Sequence, residues 1–277
     1  MAAGANSINT NPGALVALQN LGSINKRLDS TQNRVSTGFK VNNAVEDASS
    51  FAIAQGTRAN LKAYEAVSQG ISNARGVATV ALSAATSISD LLGDIQKKVT
   101  EGMNAANTTG QQAILNTDFQ NLVTQVNQFI TNAVYNGRNL LSTGSDSVSV
   151  IANIDGSTLK IRSASNAGNA ATTNFAAAVT LATTTNAAEA LSKTVAMIAS
   201  IGTLLGQLGA DTRTIDFQDD FIGKLSDATE TGLGAIVDAD LAKESAKLQA
   251  LQVQQQLSVQ TLNIANQRPS VLLSLFR

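Results

Sequence analysis

The chain has 277 residues, enough to bury a core, and 43% of them are hydrophobic although only 4% are aromatic. It contains no His and no Cys, which excludes disulfide scaffolds, thiolate sites, the usual zinc sites and catalytic triads built on His. The formal charge is −1, and no basic face for a nucleic acid is visible. Because much of the apolar fraction is Ala, the composition predicts helices packed side by side.

The apolar runs of the chain are short. One of the longest, within Val77–Leu82, falls far below the ~18 residues that span a bilayer. The first residues lack the basic and apolar regions of a cleavable secretion signal. These rules alone predict a soluble, cytoplasmic protein with no membrane insertion.

A first helix is predicted after Pro12. Its apolar residues step by three, four and seven, the heptad spacing of a helix that packs along another helix: Leu21, Ile24, Leu28 and Val35. Gly38 and the following Asn pair are stop and turn signals.

The next two segments are also helical in pattern. A long amphipathic stretch runs from Phe51 past Ile95, a length that favours a rod over an ordinary globular helix. Asn107–Gly110 interrupts it, and a further helix over residues 111–133 is expected to return antiparallel.

The pattern then changes to turns and strands. Residues 147–154 and 158–162 alternate on either side of Asp155-Gly156, which predicts a β-hairpin. Residues 163–186 are rich in Ala, Thr, Asn and Ser and are expected to form a solvated loop. Helical spacing resumes over 187–236, weakened near its end by Gly232 and Gly234.

The last forty residues or so, from Asp238, predict one long helix with its own heptad stripe. The stripe comprises Ala246, Ala250, Val253, Leu257 and Ile264, and the chain closes on Leu272, Leu273, Leu275 and Phe276. Two ends with matching stripes are expected to pair with each other or with copies of themselves. The alternative is two amphipathic helices folded onto one ordinary core.

Several ordered stretches resemble the bacterial flagellin family, the filament subunits of flagella. They are Ser7–Asn11, Asn33–Asn43 followed by Glu46-Asp47-Ala48, Tyr135–Leu141, Asp238–Ser245, Ala265–Gln267 and Leu273–Leu275. The resemblance covers roughly residues 7–141 and 186–277.

The resemblance implies a mainly α fold, a long antiparallel helical rod with terminal coiled-coil helices and a small β-hairpin region. Residues 1–42 and 238–277 would form the inner terminal helices, and residues 43–141 and 186–237 the two parts of the rod. Residues 142–185 would hold the hairpin and a variable loop much shorter than in longer members of the family.

The resemblance also implies a function without catalysis, metal or cofactor: polymerisation into the flagellar filament for swimming motility. Its partners would be further copies of the chain, the export apparatus with its chaperone, and the hook-associated and cap proteins. The protein would be secreted unfolded through the type III channel, which replaces the cytoplasmic location that composition predicts. The alternatives are a hook-filament junction protein and, from another class, a surface adhesin.

The stripe residues of both ends, including the four terminal apolar residues, are the predicted assembly interface. Arg34, Glu46 and Asp47 either make polar contacts between subunits or lie unpaired on the surface. The carboxylates Asp216, Asp219 and Asp220 lack the spacing of a calcium loop and are expected to form a solvated face.

A further expectation concerns Gln96–Glu101. In many flagellins the corresponding stretch carries Arg, Glu and Leu and is bound by Toll-like receptor 5, whereas this chain has Val99, Thr100 and Glu101. The difference predicts a diverged surface with weak or no receptor activation.

Overall fold

The computed structural model describes residues 10–145, 147–163, 170–171, 175 and 179–274, with side chains up to residue 267. Its helices are α1 (Pro12–Thr37), α2 (Ala48–Gly102), α3 (Thr109–Asn132), α4 (Thr184–Val237) and α5 (Leu241–Ser274). Its strands are β1 (Val134–Tyr135), β2 (Arg138–Asn139), β3 (Val148–Ile151) and β4 (Thr158–Ile161). The predicted mainly α class with a small β-hairpin region is confirmed.

The chain divides into two compact units. The terminal unit comprises Met1–Ala59 and Ala228–Arg277, and the central unit comprises Asn60–Asp227. The long helices α2 and α4 therefore contribute residues to both.

In the terminal unit, α1 has clear start and stop signals. The Asn11 side chain accepts a hydrogen bond from Ala14 N at 3.2 Å, and Pro12 occupies the first turn. Gly38 has a φ of 75° and donates its N–H to Arg34 O at 2.9 Å. The predicted stop at Gly38 is therefore confirmed.

In the central unit, α2, α3 and α4 share one apolar core. Its fully buried side chains include Ile71, Ile88, Leu92, Ile95, Phe119, Met197, Ile201 and Leu208. At the start of α3, Thr108 and Gln111 form a reciprocal capping box. The buried Gln112 in the first turn of α3 donates its Nε2 to Gly102 O, at the end of α2, at 2.8 Å. This hydrogen bond ties the two helices together across the predicted break at Asn107–Gly110.

Two small antiparallel hairpins follow α3. Strands β3 and β4 pair with Val148 opposite Ile161 and Ile151 opposite Thr158, and Gly156 in their turn has a φ of 79°. The hairpin predicted around Asp155-Gly156 is confirmed. Strands β1 and β2 flank Asn136 and Gly137, both of which have positive φ, so the turn expected there also carries a two-residue strand pair.

The segment expected to be a solvated loop, residues 163–186, is partly core. Phe175 and Leu181 are buried, and the Phe175 ring meets Phe119 of α3 edge to face at 6.2 Å. Leu181 N donates to Asn116 Oδ1 at 2.7 Å. The expectation of a solvated loop was wrong because a few widely spaced apolar residues are enough to pack this polar segment against α3.

Helices α2 and α4 each contain an 18-residue window with a mean hydropathy of 1.3, long and apolar enough to cross a membrane. Uninterrupted apolar runs do not reveal these windows, because a mean over 18 residues tolerates interspersed polar residues. The core helix of a soluble protein passes the same criterion, so these windows are weak evidence for membrane insertion.

Candidate assembly surfaces

The terminal helices α1 and α5 pack against each other in antiparallel fashion. Asn11 Nδ2 donates to Ala265 O at 2.7 Å, and Gln255 Nε2 donates to Asn25 Oδ1 at 2.8 Å. Arg34 Nη1 lies 3.6 Å from Glu244 Oε1 near the other end of the pair. These three polar contacts set the register of the two helices.

The α1 face of this pair is the one that the heptad spacing predicts. Ile24 is buried, and Leu21, Leu28 and Val35 are half-buried. Thr31 occupies the heptad position between Leu28 and Val35 and is also buried. The α1 stripe therefore forms the contact with α5 within one chain.

On α5 the face that contacts α1 is not the face that carries the predicted apolar stripe. The residues turned inward step alternately by three and four and comprise Leu248, Leu251, Gln255, Ser258, Leu262 and Ala265, of which Leu251 is buried and the rest are half-buried. Polar Gln255 and Ser258 hide this stripe from an analysis based on apolar spacing. The helix thus carries two heptad stripes, and α1 covers the more polar one.

The predicted α5 stripe lies on the opposite side of the helix and is exposed. We call Ala246, Ala250, Val253, Leu257 and Ile264 the outer stripe. Its three large residues are 55%, 58% and 58% exposed, respectively. Each outer-stripe residue lies two positions from an inward one, as Val253 does from Leu251. Two positions along a helix correspond to a rotation of about 200°, so the two stripes lie on opposite sides of α5. As an interface between chains, the outer stripe stays a prediction.

The closing apolar residues of the predicted interface cannot be placed. Leu275 and Phe276 lie outside the described residues, and the side chains of Leu272 and Leu273 lie outside the described side chains.

A polar cluster closes one end of the α1–α5 pair. Glu244 accepts ion pairs from Arg34 and, at 3.6 Å, from Lys247 Nζ. Both separations exceed hydrogen-bond length. Arg34 Nε and Glu244 Oε2 are both buried without a hydrogen bond among the described residues. Asp240 caps α5 by accepting a hydrogen bond from Lys243 N at 3.1 Å.

Arg34 is not brought together with the two acidic residues named beside it in the sequence. Glu46 Oε2 accepts from Asn42 N at 2.9 Å and closes a local turn. Asp47 caps α2, and the hydroxyl and backbone N–H of Ser50 that it binds lower the pKa of its carboxyl. All three residues have partners within the chain, and their contacts between subunits stay a prediction.

The connection between α1 and α2 is hydrogen-bonded to the segment that joins α4 to α5. Lys40 N donates to Val237 O at 2.6 Å, and Ala239 N donates to Gly38 O at 2.8 Å. The Arg58 guanidinium lies 5.9 Å from the centre of the Phe39 ring. These contacts hold the two chain ends together where the helical pair begins.

The stretch expected to be a diverged receptor surface is divided between core and surface. Val99 is fully buried in the central unit, so its place in that surface was wrong. Thr100 and Glu101 are exposed, and Glu101 Oε2 lies 3.4 Å from Lys98 Nζ. Heptad position explains the difference, because Val99 continues the inward stripe of Leu92 and Ile95.

Sequence reasoning also missed two ionic contacts in the central unit. Arg75 of α2 forms ion pairs with Asp219 at 2.9 Å and with Asp216 at 2.8 Å. Asp216 and Asp220 are exposed, as expected of a solvated face, whereas Asp219 is half-buried and hydrogen-bonded to Arg75. Burial alone lowers the pKa of Arg75, but the hydrogen bond to Asp219 and the charges of both carboxylates raise it overall. No local signal predicts contacts between residues this far apart in the chain.

The second contact holds the β3–β4 hairpin to α4. Arg162 donates its backbone N at 2.9 Å and its Nη2 at 2.8 Å to the buried Asp211, and the hydrogen bond to Asp211 raises the pKa of Arg162. Gln218 Nε2, two turns further along α4, donates to Ala152 O at 2.7 Å. The hairpin is therefore attached to α4 at two points.

The terminal unit pairs α1 with α5 and leaves an apolar stripe exposed, and the central unit is mainly helical, which is the architecture of a helical structural protein. A model of the bacterial flagellin N-terminal helical region matches residues 8–146, and one of the C-terminal helical region matches residues 191–276. The chain belongs to the bacterial flagellin family and is a filament subunit.

Named relatives match over nearly their whole length. The chain is 39% identical to flagellin FljM of Caulobacter vibrioides and 38% identical to a flagellin of Brucella melitensis, with 98% of this chain and 99% of each relative covered. A putative flagellar hook-associated protein from Vibrio parahaemolyticus has a similar fold, with a TM-score of 0.57, 12% identity, and 70% of this chain and 100% of that chain covered.

Proposed function

We propose that the chain polymerises into the extracellular flagellar filament by covering its outer stripe with neighbouring copies. The observation that carries this proposal is the exposure of Val253, Leu257 and Ile264 on a helix whose other face is already packed against α1. The terminal segments, residues 1–42 and 238–277, would form the inner layer of the filament.

The stripe has enough apolar surface to drive association. Full burial of a Val, Leu or Ile side chain contributes about 1.5–3 kcal/mol. Since more than half of each of the three side chains is exposed, complete coverage would contribute roughly 3–5 kcal/mol per subunit. Contacts that repeat without closing turn such a contribution into a helical polymer.

The family membership supports further proposals about the life of the subunit. The subunit leaves the cell through the flagellar type III channel after delivery by an export chaperone. It contacts the cap and hook-associated proteins, and it has no enzymatic activity. The likeness to the hook-associated structure concerns fold alone, and no observation favours the junction or adhesin alternatives.

The test is polymerisation of the purified full-length chain, followed by pelleting and electron microscopy. Leu257→Glu places a charge in the outer stripe, and Gln256→Glu places the same charge on the neighbouring exposed position as a matched control. We expect filaments from the wild type and Gln256→Glu but not from Leu257→Glu. All three chains should keep the same helical circular dichroism, because residue 257 is exposed in the single chain.

Normal filaments from Leu257→Glu would show that the outer stripe is not an assembly surface. Short, closed oligomers from the wild-type chain would instead favour the junction alternative.

A further inference from the structure

The central unit carries an aromatic ridge on α4 that stays largely exposed among the residues the structure describes. Phe217 is 73% exposed and Phe221 is 52% exposed, and they are the two mostly exposed Phe residues among those the structure describes. Residues four apart lie on the same face of a helix, so the two rings form one continuous feature, which we call the Phe ridge.

The Phe ridge is fixed in its outward direction by its neighbours on α4. Ile215 and Ile222 are buried in the core. Gln218 is bonded to the hairpin, and Asp219 is bonded to Ser68 and Arg75 of α2. Because these positions face inward, rotation of α4 to hide the rings would break all of these contacts.

The same unit carries an apolar groove between α2 and the β3–β4 hairpin. Its volume is about 500 Å³, and its lining includes Ala63, Ala66, Gly70, Val150, Ile151 and Ile154. The α2 wall consists of Ala63, Ala66, Val67 and Gly70, and a Cβ added at Gly70 would lie 3.7 Å from Val150 Cγ1. We call this feature the hairpin groove.

We propose that the Phe ridge of one copy docks into the hairpin groove of a second copy, as a contact between central units that adds to the outer stripe. This inference rests on the proposed function. A polymer of identical chains needs two different, complementary surfaces on each subunit, and the ridge and the groove provide an apolar projection and an apolar recess.

The area of the contact also fits a polymer. At about 200 Å² for a Phe side chain, the exposures leave about 250 Å² of apolar surface on the ridge. With a similar area on the groove, the contact buries about 500 Å², below the ~1,200 Å² of a stable two-chain complex. Such a contact holds only when another contact brings the same two copies together, as the outer stripe does in a filament.

The first experiment identifies what surrounds the ridge. Benzoylphenylalanine is placed at Phe217, filaments are formed from equal amounts of unlabelled and ¹⁵N-labelled chain, and the product is illuminated and digested with trypsin. We expect adducts between chains on the peptides covering residues 63–75 and 139–160, which carry the groove. The control places the same residue at Ile114 of α3, which is 65% exposed and belongs to neither surface.

Three results separate the possibilities. Groove adducts from position 217 but not from position 114 support the proposal. Filaments without groove adducts, or with adducts confined to one chain, overturn it while leaving the proposed function intact. A wild-type chain that forms no filaments removes the proposed function and this contact together.

A second measurement tests the energetic contribution. The double substitution Phe217→Ala with Phe221→Ala should raise the critical concentration for polymerisation about tenfold or more. The urea midpoint of the monomer should stay unchanged because the rings make little contact with the core. An unchanged critical concentration would overturn the proposal.

Discussion

Gly76 offers the sharpest test of packing in the central unit, because the effect of one added methyl group on stability should depend on whether Tyr135 is present. A Cβ at Gly76 of α2 would lie 2.5 Å from Cζ and 2.9 Å from Oη of Tyr135 in β1. Tyr135 therefore lies directly on the α2 backbone, and no larger residue fits without displacing its ring.

The magnitudes of two opposing effects set the expected result. Replacing Gly by Ala inside a helix stabilises it by about 1 kcal/mol. Overpacking costs about 1–3 kcal/mol. Gly76→Ala should therefore lower the free energy of unfolding by as much as about 2 kcal/mol, or leave it unchanged. In a Tyr135→Ala background the same change should raise it by about 1 kcal/mol, because only the helix preference remains.

Urea unfolding followed by circular dichroism measures these differences. Gly93→Ala is the matched control, since Gly93 lies in the same helix with nothing within 4 Å of an added Cβ. It should stabilise the protein by about 1 kcal/mol in both backgrounds. If Gly76→Ala stabilised the wild-type chain as much as Gly93→Ala does, the contact between Tyr135 and α2 would be refuted.

Three further predictions concern the terminal unit and the exposed end of α2. Leu251→Ala should destabilise the α1–α5 pair by about 2–4 kcal/mol as measured by amide exchange. Val253→Ala, two residues away, should change the stability of the pair by less than about 0.5 kcal/mol. Equal effects would contradict the finding that Leu251, and not Val253, faces α1. Asp47→Ala should lower the melting temperature at neutral pH. The folded pKa of Asp47 is depressed, so its stabilisation is present above the unfolded value and is lost as the pH falls through the folded one. A difference in melting temperature that did not shrink as the pH was lowered would contradict the capping role. In a Toll-like receptor 5 reporter assay the purified monomer should give weak or no activation, and full potency would disprove the predicted divergence at Thr100 and Glu101.

Much of the fold is local and could be predicted from the sequence. Pro12, Gly38 and Asn107–Gly110 mark helix boundaries through backbone geometry, and Asp155-Gly156 marks the hairpin for the same reason. The α1 stripe was also readable, because four of its inward residues, Leu21, Ile24, Leu28 and Val35, are large and apolar. The α5 stripe was not, because the inward face includes Gln255 and Ser258, whose burial depends on α1.

The sequence by itself determined that this chain forms long helices, that His and Cys chemistry is absent, and that an apolar stripe runs along the final helix. Helical periodicity shows that a stripe exists but does not show what covers it. Only the tertiary structure decided that α1 packs on the more polar face of α5, that Val99 is core, and that Arg75 and Arg162 find carboxylates far away in the chain. Those outcomes depend on which distant surfaces meet, and spacing along a single helix carries no information about its partner.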